Sequence, residues 1–466
     1  MSQVNLCELL SVIADASSRA CQVIQNVHQK RSCPSSTSFE VQYKEDGDPR
    51  SALTEADLNA QSVIMCCIRS VYGSELTIIG EEDEDHETEE EILTEEEQRA
   101  LFEKYNVTSL SHAVERDLFG QRVMVDIQDV CLYIDPLDGT REFVEGRLNN
   151  VQCLIGITYK QQPIGGVIGL PFVQLTQQKV TNVVCSLNLD NVQILEIALF
   201  EKKGFVGLDS KAWLQYGTQT CQQDDDDDAI RLYTGDSNRV HKKHSLEYIQ
   251  DIAKEKNDDT KLCIEGGCGN KILSCAAYTC SSMNKNGICI IPPGTCSWDS
   301  ASPSSVVFTA MKKFGLKAKI TDMFGGELVY DSSGKIVKND LGIFASCGPK
   351  AVEYHKILVN KMRSDYVILE SLLKKYWRRA GADSSDKMKE LQSQPQSLQR
   401  NKRGYVISCQ ELQDLVAEHV DVGNSQILEW ACPTANDGNI DLVWSPLDDE
   451  TSKLLPLQVS LESLYS

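Results

Sequence analysis

Ile134-Asp135-Pro136-Leu137-Asp138-Gly139-Thr140 places two carboxylates three residues apart around a proline turn, directly after the apolar run Val130-Cys131-Leu132-Tyr133. The apolar run reads as a buried strand, and a strand end is a rigid place from which to present ligands. Hard divalent cations bind through oxygen, and Mg²⁺ takes a few carboxylates together with substrate phosphate in near-octahedral geometry. Pro136 fixes φ and narrows the turn. Gly139 lets backbone approach a ligand closely, and Thr140 adds a hydroxyl beside N–H groups able to face a phosphate. The stretch therefore looks like half of a metal and phosphate site, and the other half must come from elsewhere in the chain.

Three further segments qualify. Thr77-Ile78-Ile79-Gly80-Glu81-Glu82 is a short apolar strand that ends in glycine and carboxylates. Gly294-Thr295-Cys296-Ser297-Trp298-Asp299-Ser300 follows the apolar run Ile288 to Ile291 and precedes a helix, expected to start with Ser302 as N-cap and Pro303 at its first position. Thr54-Glu55-Ala56-Asp57 opens the helical pattern from Leu58 to Val71. Acidic residues thus stand at element ends in four separate parts of the sequence.

In this order the four pieces resemble the lithium-sensitive, Mg²⁺-dependent phosphomonoesterase superfamily that includes the inositol monophosphatases. Within it the chain is most similar to the 3′(2′),5′-bisphosphate nucleotidases, through the run Asp135 to Gly146, the hairpin segments Leu154 to Thr158 and Ile164 to Ile168, and Gly266-Gly267-Cys268-Gly269-Asn270-Lys271. The resemblance spans roughly residues 5 to 360. It implies an α/β fold (α+β layered), an inositol-monophosphatase-like α-β-α-β-α sandwich of two lobes with the metal site between them, followed by a C-terminal extension. It also implies two or three Mg²⁺ ions, with Glu81, Asp135, the Leu137 carbonyl, Asp138 and Asp299 as ligands. Two ions about 3.5–4 Å apart clamp the attacking and leaving oxygens in such chemistry. Asp57 and Thr140 would orient and deprotonate a water, and the N–H groups of Gly139 and Thr140 would hold the phosphate. Gly267 and Lys271 would contact the substrate, expected to be adenosine 3′,5′-bisphosphate. An inositol polyphosphate 1-phosphatase, or another inositol phosphatase, is the alternative. A catalytically silent interaction protein is the alternative of another class, although every ligand the resemblance calls for is present. One departure stands out: Asp236, in Thr234-Gly235-Asp236-Ser237-Asn238, falls where those nucleotidases usually carry histidine, and a carboxylate there repels a polyanion unless it turns away.

Each feature also has an ordinary structural reading. Thr54-x-x-Asp57 is a helix capping box variant. Asp299 near a helix N-terminus is favoured by the helix dipole alone. Glu81 opens an acidic stretch that runs on to Glu97, and charge runs are usually solvated; only its place after Gly80 singles it out. Asp135 and Asp138 could be plain turn residues, but two carboxylates forced together without a counter-ion repel. The glycine loop at 266 to 271 suits a ligand at a helix N-terminus, or is simply a turn into a helix with an exposed lysine.

Composition narrows the classes. The 466 residues are 41% hydrophobic and 24% charged, as in a globular protein, and 46 basic against 68 acidic residues give a net charge of −22. That balance argues against nucleic acid polymers and anionic membrane as partners; a small phosphorylated metabolite escapes the objection because bound cations invert the local field. No apolar run reaches the ~18–20 residues of a membrane span, and the first residues lack the basic and apolar regions of a secretory signal. A cytoplasmic location is expected, and a homodimer is compatible with the sequence. The 18 cysteines sit largely in apolar runs, as free thiols acting as small buried hydrophobes do. The spacing of Cys263, Cys268, Cys275 and Cys280 is too uneven for zinc.

Along the chain, residues 4 to 30 read as an amphipathic helix, and strands are expected at 77–79, 130–134, 151–159, 164–168 and 180–185, with Lys160 to Pro163 as a hairpin turn. Strand and helix alternate after Ile230, ending in helical runs near 349–363 and 366–379. Residues 1–379 are read as the phosphatase domain, with lobes of about 1–229 and 230–379. Residues 82–120 and the run Asp224 to Asp228 are read as acidic surface insertions, 380–403 as a polar linker, and 404–466 as an extension carrying a strand from Tyr405 and a helix over Leu412 to Val420.

Overall fold

The computed structural model describes residues 3–31, 41–43, 52–83, 94–105, 118–175, 180–201, 204–220, 228–282, 284–331, 336–339, 341–363 and 365, with short strands between 399 and 457. The major helices are α1 (Leu6–Arg31), α2 (Glu55–Tyr72), α3 (Glu95–Lys104), α4 (Thr140–Glu145), α5 (Ala212–Thr220), α6 (Val240–Lys256), α7 (Cys268–Cys280), α8 (Ser297–Lys313) and α9 (Pro349–Arg363). The strands of the two main sheets are β1 (Thr77–Gly80), β2 (Val130–Asp138), β3 (Gln152–Tyr159), β4 (Gln162–Leu170), β5 (Thr181–Asn188), β6 (Gln193–Glu201), β7 (Gly204–Asp209), β8 (Ile230–Thr234), β9 (Thr260–Ile264), β10 (Asn286–Ile291), β11 (Ala318–Thr321) and β12 (Ile343–Cys347).

The first sheet is a seven-stranded meander in the order β7-β6-β5-β4-β3-β2-β1, antiparallel except for the parallel pair β1 and β2. The second has the order β9-β8-β10-β12-β11, with β8 parallel to both β9 and β10 and β12 antiparallel to β10. The strand period of two explains the layers. Leu132, Ile134, Cys153, Ile155 and Ile157 share a buried core with α1 and α2, whereas Leu154, Ile168 and Val184 on the opposite face join α7 and α8. Cys289, Ile291, Ala345 and Cys347 close that second core from the other sheet. Across the second sheet, His355 of α9 meets Ser346 and Phe344 on the remaining face. Within the first unit, helices therefore pack on both faces of the first sheet and on the second sheet, the expected α/β class.

The chain falls into two compact units. Met1–Ser237, Gln250–Ile320 and Leu328–His355 make the first; Asn238–Ile249, Thr321–Glu327 and Lys356–Ser466 make the second. Within the second unit, Tyr248 donates to Asp365 Oδ2 at 2.7 Å and His244 Nδ1 meets the same oxygen at 2.5 Å. All the site residues named above lie in the first unit.

Several sequence expectations shift. The N-terminal helix forms over Leu6–Arg31, but it is buried on nearly every side, including the Asp15–Arg19 ion pair at 2.6 Å. Its amphipathic pattern understates burial because Asp15 and Arg19 pair with each other and Ser11 Oγ donates to the Cys7 carbonyl at 2.8 Å. The hairpin turn narrows to Lys160-Gln161, both with positive φ (50° and 64°). Pro163 moves into β4 at a register shift, where a missing N–H disrupts the ladder least. Strands β6 and β7 extend the meander beyond the expected series. Helix α8 starts at Ser297 with Cys296 as N-cap, not at Ser302, and Pro303 lies inside it. The cap is decided by Asp299, whose Oδ2 accepts the Cys296 N–H at 2.6 Å; this fixes the first turn ahead of the proline.

Of the 82–120 insertion, α3 forms within it and 84–93 and 106–117 lie outside the described residues. So do most of the aspartate run, the expected helices at 366–379 and 412–420, and most of 380–466; a short hairpin pairs Gln399–Asn401 with Gly404–Val406. All described cysteines except Cys263 and Cys296 are buried.

Candidate active site

In a regular strand, residues three apart point to opposite faces. Asp135 and Asp138 converge because β2 breaks register between them: Asp135 pairs with Leu154, and Asp138 with Gln152. The Leu137 N–H donates to Asp135 Oδ1 at 3.0 Å and closes the turn. Asp299 arrives from the first turn of α8, which lies against the first sheet where Gly156 leaves room; a Cβ on Gly156 would stand 2.5 Å from that of Ala301. Carboxylate oxygens of Asp135, Asp138 and Asp299 all lie within 4.8 Å of one another. Glu81 follows β1, whose Gly80 pairs with Ile134 in parallel register, and its carboxylate reaches hydrogen-bonding range of Asp135. Two acidic side chains of β2, one of α8 and one from the turn after β1 thus come together.

Asp57 stands beside them. The Thr140 hydroxyl lies 2.9 Å from Asp57 Oδ1 and 3.1 Å from the Leu137 carbonyl oxygen, sharing one proton between two acceptors. Asp57 Oδ2 accepts the Thr54 N–H at 2.8 Å and its hydroxyl at 2.6 Å. The capping box and the Thr140 contact use different oxygens of Asp57, so the one does not exclude the other. Burial raises the Asp57 carboxyl to about 6, the Thr54 bonds oppose the rise, and the Glu81 charge adds to it.

Asp138 carries a second duty. Its oxygens accept the N–H of Cys268 (2.7 Å) and of Asn270 (3.3 Å), so it caps α7 from outside that helix. Gly267, the N-cap residue, has φ +72°, and a Cβ there would stand 2.8 Å from Asp138 Oδ2 and 2.9 Å from the Asn150 carbonyl. Lys271, one turn on, is buried, bonds the Gly267 carbonyl and places its charge near Asp138 and Asp299. It is not the exposed lysine of a plain turn. Glycine-loop and acidic cluster are therefore one structure.

The Asp236 departure has a partner. Arg141 Nη1 contacts both Asp236 oxygens, at 3.1 and 2.8 Å, while its Nε bonds Glu145 Oε1 at 2.8 Å.

Electrostatics identify what the cluster needs. Burial first, then Glu81, Asp138 and Asp299, push the Asp135 carboxyl far above the usual carboxylate range. Asp299 is raised in the same way by burial and by Asp138 and Glu81, and Asp138 by burial, with Lys271 and the α7 N–H groups opposing. An all-oxygen, mutually repelling donor set fits a hard divalent cation.

The sequence profile of the inositol monophosphatase family matches residues 8–356. The chain belongs to that family. Its members are metal-dependent phosphatases, and the chain is 28% identical over 298 residues to 3′(2′),5′-bisphosphate nucleotidase 1 of Homo sapiens, covering 63% of this chain and 78% of the relative. Against the protein of the same name in Dictyostelium discoideum the identity is 26% over 346 residues, 73% of this chain and 93% of that one. Among solved structures, CysQ from Bacteroides thetaiotaomicron, a bacterial member of the inositol monophosphatase family, is 18% identical, with a TM-score of 0.42, covering 72% of this chain and 96% of that one. Among the described residues, no helix of this family member is long and apolar enough to cross a membrane.

Some of the neighbourhood escaped the sequence reading. Glu142 is buried against Gly266 and bonds Arg147 and Asn150 (2.6 and 2.8 Å). Glu265, raised to about 7 by burial with Ser274, Lys271 and Arg231 opposing, accepts from Asn270 Nδ2 at 3.1 Å. Glu142 lies within the Asp135 to Gly146 run and Glu265 directly before the glycine loop, but neither spacing indicates which distant groups they meet.

Proposed function

We propose that this chain is a Mg²⁺-dependent phosphomonoesterase that removes the 3′-phosphate of adenosine 3′,5′-bisphosphate, leaving AMP and phosphate. The observation that carries the reading is the meeting of Asp135, Asp138 and Asp299 within 4.8 Å, with Glu81 against Asp135 and the Thr140–Asp57 hydrogen bond alongside. The named activity of the relatives from Homo sapiens and Dictyostelium discoideum supports the substrate.

In this reading Glu81, Asp135, Asp138, Asp299 and the Leu137 carbonyl hold the metal. When bound, Mg²⁺ supplies Lewis-acid polarisation of the phosphoryl oxygens and lowers the pKa of water. The protein's own groups do the rest. Thr140 Oγ positions the attacking water and Asp57 receives its proton through that hydroxyl, while Thr54 fixes the Asp57 carboxylate from behind. The N–H groups of Gly139 and Thr140 donate to phosphoryl oxygens, and Lys271 offsets their charge. The water oxygen bonds to phosphorus, the phosphorus–ester oxygen bond breaks, and the leaving alkoxide takes a proton from solvent water to become the 3′-hydroxyl, while Asp57 returns its proton to solvent. The catalytic domain is taken as 1–379, with 380–403 a linker and 404–466 an extension.

Purified full-length protein should release phosphate from adenosine 3′,5′-bisphosphate with Mg²⁺, lose that activity in EDTA, and prefer it to inositol 1,4-bisphosphate. Asp135→Asn should lower kcat by about 10³-fold or more, in line with loss of a group that stabilises transition-state charge. A folded Asp135→Asn protein with wild-type turnover overturns the reading.

A further inference from the structure

The site is bounded by a closed chain of contacts. Asp138 holds the Cys268 N–H at 2.7 Å. Three residues earlier, the Glu265 N–H donates to the Thr234 carbonyl at 2.9 Å, tying the end of β9 to the end of β8. Asp236 lies two residues beyond Thr234 and grips Arg141 through both oxygens. Arg141 follows Thr140, whose hydroxyl returns the circuit to Asp57. The Arg141–Asp236 pair is the only link of this circuit made by two side chains of opposite charge.

The two residues differ from the buried acidic cluster in one respect: solvent reaches them. The Arg141 side chain is 30% exposed and that of Asp236 53%. A pair so exposed contributes little to stability, so exchange of one anion for another costs little. The guanidinium is held from the other side by Glu145 at Nε, which aims the Nη end at Asp236. A planar fork of donors fits phosphate as it fits carboxylate, and a dianion brings more charge to it.

Resting on the phosphatase reading above, we propose that Arg141 is a specificity residue for the second, non-scissile phosphate of a nucleoside bisphosphate, and that Asp236 occupies the guanidinium until that phosphate displaces it. Asp236 then answers the repulsion expected of a carboxylate near a polyanion. In the free enzyme it is turned onto Arg141, and in the complex it yields that place. A substrate with one phosphate leaves the pair closed. A substrate with two pays for opening it with a stronger contact, so discrimination between the two arises at this pair.

The test uses full-length protein in Mg²⁺ and reads binding as well as turnover. Titration calorimetry with adenosine 5′-monophosphate, which keeps the second phosphate and lacks the scissile one, is compared with adenosine. The kcat/KM ratio of adenosine 3′,5′-bisphosphate to adenosine 3′-monophosphate is measured in parallel. Arg141→Gln should weaken AMP binding by about 10- to 100-fold, the scale of a charge-assisted fork, and lower the ratio by a similar factor, mostly through KM; Arg141→Lys should restore part of both. Asp236→Asn should tighten AMP binding by a few-fold. AMP affinity indifferent to Arg141→Gln, AMP binding no tighter than adenosine in the wild type, or equal losses on both substrates overturns the proposal. Failure to release phosphate from any substrate refutes the activity instead, and calorimetry still decides the role of Arg141.

Discussion

Gly267 shows how far one side chain can matter here. Its positive φ disfavours any L residue, and a Cβ would press on Asp138 Oδ2 and the Asn150 carbonyl at 2.8 and 2.9 Å. Backbone strain of this kind costs about 1–3 kcal/mol. Because Asp138 both caps α7 and faces Asp135 and Asp299, relief of the clash must move a carboxylate of the cluster. Gly267→Ala should therefore lose more in kcat/KM, by about 10-fold or more, than its modest fall in melting temperature accounts for. Steady-state kinetics beside thermal melts check this, and a variant that melts early yet turns over normally refutes it. Gly267 and Asp138 were both visible in the sequence as candidates. Their contact was not, since 129 residues separate them and no local pattern encodes which helix end a distant aspartate will cap.

At the scale of elements, the short α4 that carries Thr140 and Arg141 is fastened by a longer one. Arg31, in the last turn of α1, donates Nη1 to the Phe143 carbonyl at 3.1 Å and Nη2 to that of Val144. These are among the last carbonyls of a six-residue helix, where intrahelical partners run out; that of Phe143 also accepts the Gly146 N–H at 3.3 Å. Arg31→Ala should cost about 1–2 kcal/mol of stability and reduce turnover without altering the metal requirement; urea unfolding and an Mg²⁺ titration measure the two separately. A second element contact carries a pH signature. Burial lowers the His355 imidazole to about 3, with Lys319 contributing, while an unfolded histidine titrates near its ordinary 6.5. The folded state thus binds fewer protons than the unfolded state across that window. Its contribution is complete above pH 6.5 and is lost as pH falls toward about 3. The raised carboxylates of the site act with the opposite sign, so the difference between wild type and His355→Gln isolates the effect. The variant's urea midpoint should fall less between pH 7 and pH 5; an identical pH profile in both proteins refutes the assignment.

Across the whole molecule, what was legible was what is local. The strand expected at 130–134, which runs on to Asp138 in the structure, the hairpin of β3 and β4 and the helix after Asp57 follow from runs of apolar residues and caps. The convergence of Asp135, Asp138 and Asp299 was legible only through the order of motifs, because their distance apart depends on the register break in β2 and on Gly156 admitting α8. The start of α8 was misplaced because Pro303 is a stronger local signal than an aspartate that caps its own helix. A protein that gathers these carboxylates in a buried place stores repulsion in its metal-free state. Raised carboxyl pKa values mean that metal-free protein gains stability as pH falls through the range where those groups protonate, and a divalent cation supplies the same relief at neutral pH. Ligand binding to the folded state alone stabilises by about 2.7 kcal/mol at 100 times Kd. The melting temperature should therefore rise with Mg²⁺ concentration and fall in EDTA. Asp135→Asn should raise the EDTA melting temperature, since it removes one of the repelling charges, while flattening the Mg²⁺ dependence. Scanning calorimetry of both proteins with and without Mg²⁺ decides the matter. A variant that melts below wild type in EDTA would show that Asp135 serves the fold, and that the cluster is not held together against its own charge.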